Sequence, residues 1–194
     1  MKEIFNKNLL KLFEEKILQH HKLYPEIPIK AEYWECIAKN CLGVKNWIPN
    51  NHNPNEDLVT EHVGLKKPSL KSGIICGSRM VFSSHRMSKF DNITEMLDFL
   101  DSRTYDSYLF LARNEGENFQ KYSICYMPSK LWKFSDLKWE HIIGVRGKNT
   151  GKQQGWKSTS NDGKVSLKIQ FSMSNQLWID IDLSLITIIK EIFI

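Results

Sequence analysis

The sequence is poor in several things that would announce a function. Its 194 residues hold four cysteines, Cys36, Cys41, Cys76 and Cys125, none in a C-x-x-C pair. Their spacing fits no zinc-finger pattern and predicts four reduced, mostly buried thiols. No apolar run approaches the roughly 18 residues that a membrane-spanning helix needs, so no membrane partner is expected. The opening residues, Met1-Lys2-Glu3-Ile4-Phe5, carry charge among the first apolar side chains and lead to no small-residue cleavage site. That argues against a signal peptide and for a cytoplasmic protein. A glycine-rich phosphate loop is missing, as is any nucleophile–base pair, which disfavours a small-molecule enzyme and predicts no small-molecule cofactor.

What is present is an ordinary globular composition with a lopsided charge. Apolar residues make up 41% and charged residues 25%, and the formal net charge is +5. Between Gln120 and Gln170, ten basic residues face three acidic ones, a local excess of seven. A basic half on a nearly neutral remainder is the footprint of a polyanion partner.

Periodicity predicts a single α/β domain over residues 1–194, with a central mixed sheet flanked by helices. An amphipathic helix is expected over about Lys2 to Lys22, with Ile4, Leu9, Phe13, Ile17 and Leu18 on one face. A second helix should span about Lys30 to Leu42 and end at Gly43. Asn46 to Glu56 reads as a loop. Short strands are expected at Asp57–His62, Pro68–Ile75 and Arg79–Ser84, then a helix over Asn92–Ser102. Ser107–Ala112 and Tyr122–Met127 read as core strands, and Pro128–Gly163 as irregular. Val165–Ser172 and Leu177–Leu183 alternate cleanly and should form a hairpin about Ser174-Asn175. The apolar tail Leu185–Ile194 fits either a helix or a strand.

Hydrolysis of a phosphodiester at neutral pH calls for a divalent metal, carboxylates to hold it and a cation near the attacking water. An Asp opening one strand and an acidic-x-Lys triplet on its neighbour meet that need compactly. Alternation puts the first and third residues of the triplet on one side of the sheet. Here Asp57 opens a strand, and Ser69-Leu70-Lys71 follows after a turn at Gly64–Lys67, with Ser69 and Lys71 sharing a face.

Asn55-Glu56-Asp57-Leu58 followed by Pro68-Ser69-Leu70-Lys71-Ser72-Gly73 resembles the PD-(D/E)xK nuclease core of type II restriction endonucleases. The resemblance covers about residues 46–113. Glu56 stands where the pattern has proline, and Ser69 where it has the second acid. In this respect the chain is similar to a subgroup with Ser-x-Lys on the strand and the missing carboxylate on a following helix. The matching position is Glu95, at a longer gap from Lys71 than that arrangement usually has. The resemblance implies a restriction-endonuclease-like fold and a Mg²⁺-dependent enzyme that cuts duplex DNA at a short specific sequence. It implies Asp57 and Glu95 as metal ligands, Lys71 and Ser69 as further site residues, and a homodimer for palindromic cutting. Glu35 and Glu61 are reserve ligands, and His52 and His62 are candidates to polarise water.

Other features compete with these. Asn92-x-x-Glu95 is a capping box whatever else Glu95 does. Asp180 and Asp182 share one strand face and are a rival metal pair, although alternation on a half-exposed sheet gives the same string. For DNA contact, Ser83–Lys89 suits phosphate clamping through Ser84, His85, Arg86 and Lys89. Residues 128–163 are the candidate recognition region, where Arg146, Lys148, Asn149, Lys152, Gln153 and Gln154 match the side chains that read base edges. Within Arg146–Lys157, the three glycines Gly147, Gly151 and Gly155 would let the backbone approach a groove closely or become ordered on binding. Trp132, Trp139 and Trp156 read mostly as core. The alternatives to a restriction enzyme are a nucleic-acid-binding module without catalysis, and a repair, homing or RNA nuclease of the same superfamily.

Overall fold

The computed structural model describes residues 5–43, 65, 67–114 and 120–194. Among them are three α-helices and nine strands, an α/β architecture as expected. No helix among the described residues is long and apolar enough to cross a membrane. The chain divides into two compact units. The first comprises Met1–Cys76, Thr104–Lys130 and Ile186–Ile194, the second Gly77–Arg103 and Leu131–Leu185.

The first unit starts with helices α1 (Lys7–Leu23) and α2 (Ala31–Cys41). Asn6 caps α1, its side chain accepting from the Leu9 N–H at 2.8 Å, which satisfies one of the orphan donors of the first turn. The buried stripe of α1 is Leu9, Phe13, Ile17 and His21. Leu18, expected on that face, is exposed. A stripe stepping by four residues continues from 17 to 21, and the next residue after 17 lies about 100° round the helix. α2 ends as expected, with Gly43 in the left-handed region at φ +70°.

Four strands complete this unit: β1 (Pro68–Cys76), β3 (Ser107–Asn114), β4 (Lys121–Pro128) and β9 (Thr187–Phe193). They lie in the order β1-β3-β4-β9. β1 and β3 are parallel and the other pairs antiparallel, so this sheet is mixed. The apolar tail is therefore a strand. Leu70, Leu109, Leu111, Ile124 and Ile192 form one core with Phe13, Ile17 and Trp34 of the helices. The Trp34 indole N–H donates to the Leu109 carbonyl at 3.3 Å, so its polar edge is satisfied inside that core.

His21 is the unusual member of the helical stripe, 4% exposed. The Tyr122 hydroxyl accepts from the Ile29 N–H at 3.1 Å and lies 3.0 Å from His21 Nε2. The hydroxyl can donate its one proton to Nε2. Burial, then the neighbouring His20, pushes the His21 pKa below 6.5, against a smaller opposing effect of the Pro25 backbone. Below pH 6.5 the unfolded chain takes up a proton that the folded chain resists, so stability falls as pH drops from 6.5 through the folded pKa. Melting temperature followed from pH 7.5 to 5 should decline, and His21→Gln should flatten that decline.

The second unit is built on β2 (Arg79–Arg86), α3 (Ile93–Asp101), β5 (Glu140–Ile143), β6 (Gln153–Thr159), β7 (Val165–Gln170) and β8 (Gln176–Asp182). Its strands run in the order β5-β6-β7-β8-β2, and every neighbouring pair is antiparallel. Val165, Leu167 and Ile169 face inward with Leu177, Ile179 and Ile181. The β7–β8 hairpin turns through Ser174 and Asn175, both left-handed at φ 59° and 52°. The region from Pro128 to Gly163 is not irregular, since it contains β5 and β6. Their alternation is hidden because the inward positions of β6 opposite Ile169 and Leu167 are Trp156 and Ser158, and only the first is apolar.

Candidate functional site

β1 carries the candidate triplet. Leu70 lies in the helix-covered core, so strand alternation sends Ser69 and Lys71 to the other side of the sheet. Ser69 is 2% exposed and Lys71 half-buried. The register puts Tyr108 beside Ser69, and Phe110 and then Cys125 in line with Lys71. All three of these neighbours are buried. Lys71 therefore sits against an apolar wall, where a charge acts through less solvent screening than at an open surface. Its Nζ donates to the Leu70 carbonyl at 3.1 Å.

Asp57, Glu61, His52 and His62 lie outside the described residues. Glu95 is exposed in the first turn of α3, in the second unit. Its N–H donates to the Asn92 side chain at 3.0 Å, and its carboxylate accepts from the Asp91 N–H at 3.4 Å. The capping role is thus present, with the reciprocal bond made one residue earlier than in the usual box. Glu35 is paired with Lys39 at 3.5 Å on α2. Among the described residues no group of three His, Cys, Asp or Glu side chains is placed to hold a metal.

The rival acidic pair has structural partners. Asp180 takes the Arg79 guanidinium at 2.6 Å. Asp182 accepts from the Ser184 N–H at 2.8 Å, and hydrogen bonds from Ser184 lower its pKa. The four cysteines form no disulfide. Two of them, Cys41 and Cys125, are buried, and burial pushes both thiols up to about 12. Cys36 and Cys76 are exposed.

No family model, curated protein or solved structure matches the chain.

The residues expected to meet DNA all belong to the second unit. Arg86 and Lys89 are exposed. The Ser84 hydroxyl is buried, and the His85 ring is held against the Arg103 guanidinium, with Nδ1 at 2.9 Å. The His85 ring is thus engaged within this unit. Lys89 and Arg103 each also contact the Phe99 ring, at 4.9 Å and 4.1 Å from its centroid.

The connection between β5 and β6 bears Arg146, Lys148, Asn149 and Lys152, all exposed. Val145 beside them is 82% exposed. Gln153 and Gln154 open β6, their amides donating to nearby backbone carbonyls. The three tryptophans of this region are half-buried and engaged by the protein. Trp139 donates to the Phe134 carbonyl at 2.9 Å, Trp132 meets Phe134 edge-on, and Trp156 lies 4.2 Å from the His141 ring.

The three glycines do different things. Gly147 and Gly151 hold turn positions at φ +60° and +74°, with open space where a Cβ would be. Gly155 lies within β6, and a Cβ there would collide with the Ile169 carbonyl oxygen of β7. The close approach that Gly155 permits is to the protein's own backbone. Gly144, not singled out by the sequence, plays the same part against the Asn149 carbonyl.

Proposed function

We propose that this protein is a Mg²⁺-dependent endonuclease of the type II restriction class that hydrolyses duplex DNA at a short specific sequence. The reading rests above all on Ser69-Leu70-Lys71. The strand buries the middle residue among helices and sends the serine and lysine to the opposite side. The basic, exposed β5–β6 connection supplies a second support, because DNA affinity comes chiefly from cations that neutralise phosphates.

In this reading Asp57 and Glu95 hold the metal. Carboxylate oxygens suit a hard divalent cation, and Glu95 is exposed, its carboxylate accepting a long bond from the Asp91 N–H at 3.4 Å. Bound Mg²⁺ supplies polarisation of a phosphoryl oxygen. Lys71 orients the attacking water and stabilises negative charge developing at phosphorus. Ser69 steadies its neighbours by hydrogen bonding. Two copies related by a twofold axis would cut both strands of a palindrome.

The test is incubation of the purified protein with bacteriophage DNA in Mg²⁺ and in EDTA, beside Asp57→Ala. Discrete fragments are expected in Mg²⁺ alone and with the unaltered protein alone. Cleavage that survives Asp57→Ala would keep the nuclease and discard this site. A second reading, a nucleic-acid-binding module without catalysis, draws on the capping role of Glu95 and on the same exposed basic residues. Intact DNA that is nevertheless retarded on a gel would establish that reading instead.

A further inference from the structure

The second unit's sheet has an inward face and an opposite one, which is exposed at Glu140, Lys157 and Lys168 and half-buried at Trp178 and Ser83. On this opposite face, register places Glu140, Lys157, Lys168, Trp178 and Ser83 in one row across β5, β6, β7, β8 and β2. Lys157 and Lys168 are direct cross-strand partners, and both are exposed. Such partners hold their Cβ atoms about 5 Å apart, and like charges in that position destabilise a sheet. The compensation is meagre. Glu140 reaches Lys157 at 3.8 Å, with both side chains more than half exposed, a contact of little worth in water. No ion pair of Lys168 occurs among the described residues. Asp180, on the same face, is already taken by Arg79.

The rest of this face suits the same kind of partner. Exposed Arg86 lies across from Gln176, which is itself buried and pairs with half-buried Gln170, so all three share the side that carries Lys168. Thr159 and Ser166 lie opposite one another in the neighbouring row. Lysine, arginine, serine, threonine and glutamine are the side chains that meet sugar–phosphate backbones.

We propose that this face is a backbone-binding track for duplex DNA, with Lys157 and Lys168 contacting phosphates and Arg86 extending the track onto β2. The inference deepens the endonuclease reading and rests on it. It assigns the positioning of the duplex to the sheet and leaves base reading to the β5–β6 connection.

Fluorescence anisotropy of a short labelled duplex of mixed sequence, in EDTA so that nothing is cut, tests it between about 50 and about 200 mM salt. The double variant Lys157→Gln/Lys168→Gln should bind more weakly, and its log K against log salt should be shallower by about 2, roughly 0.9 per lost phosphate contact. Its melting temperature should hold or rise, because a like-charge pair has been relieved. The control Lys7→Gln/Lys22→Gln removes the same charge from α1 and should keep the original slope. An unchanged slope in the β6–β7 variant overturns the track while duplex binding by the unaltered protein keeps the DNA reading. Equal losses in both double variants also overturn it, because the effect is then net charge. Tighter binding to the single strand than to the duplex overturns the choice of partner. Absence of any duplex binding by the unaltered protein removes the DNA reading and the track together.

Discussion

Lys71→Ala is expected to lower Mg²⁺-dependent cleavage by about a hundredfold to a thousandfold, the usual loss when one preorganised electrostatic group is removed from a hydrolytic site. Duplex binding in EDTA should be little changed, since the binding candidates all lie in the second unit. The variant should also fold. Lys71 is half-buried at a strand position whose helix-facing neighbour, Leu70, carries the packing. Lys71→Arg separates charge from geometry. It keeps the cation beside Phe110 and Cys125 but replaces a compact ammonium with a planar, longer group, so partial recovery is expected. The decisive measurement is single-turnover cleavage with protein in excess, which isolates the chemical step from product release. Full activity in Lys71→Ala would remove the triplet from the mechanism, whatever its place on β1.

How far the sequence revealed this protein depended on whether burial is carried by apolar side chains. β7 and β8 were legible because Val165, Leu167 and Ile169, then Leu177, Ile179 and Ile181, alternate with polar residues. α3 was legible from Asn92-x-x-Glu95 ahead of an apolar run. β6 was not, since Gly155, Trp156 and Ser158 give no period-two signal, and their roles follow from the partner strand. His21 escaped for a related reason. A polar residue fills an apolar stripe, and its partner Tyr122 is 101 positions away. For the candidate site, the common face of Ser69 and Lys71 follows from alternation alone. The pairing of Lys157 with Lys168 does not, because it requires knowing that β6 and β7 are neighbours and in what register.

Gly155→Ala offers the largest effect on stability, and it separates two reasons why the recognition region is rich in glycine. The added methyl group would meet the Ile169 carbonyl oxygen, a backbone atom that is itself part of the β6–β7 pairing. A flexible side chain could swing aside, but a strand carbonyl cannot without opening the ladder. The cost should reach about 3 kcal/mol or more, at the upper end of what overpacking does in well-packed sites. For a chain of this size that is a fall of roughly 6–12 °C in melting temperature. Gly151→Ala has open space at its Cβ and only the strain of φ +74° to bear. It should cost about 1–2 kcal/mol and shift melting by roughly 2–8 °C. DNA affinity should follow the same division. Gly155→Ala loosens the strand that begins with Gln153 and Gln154 and bears Lys157, so binding should weaken well below the melting transition. Gly151→Ala leaves that strand paired and should bind nearly as the unaltered protein does. Equal melting temperatures for the two variants would mean that β6 does not pack against β7 in this register, and the lysine track would fall with it.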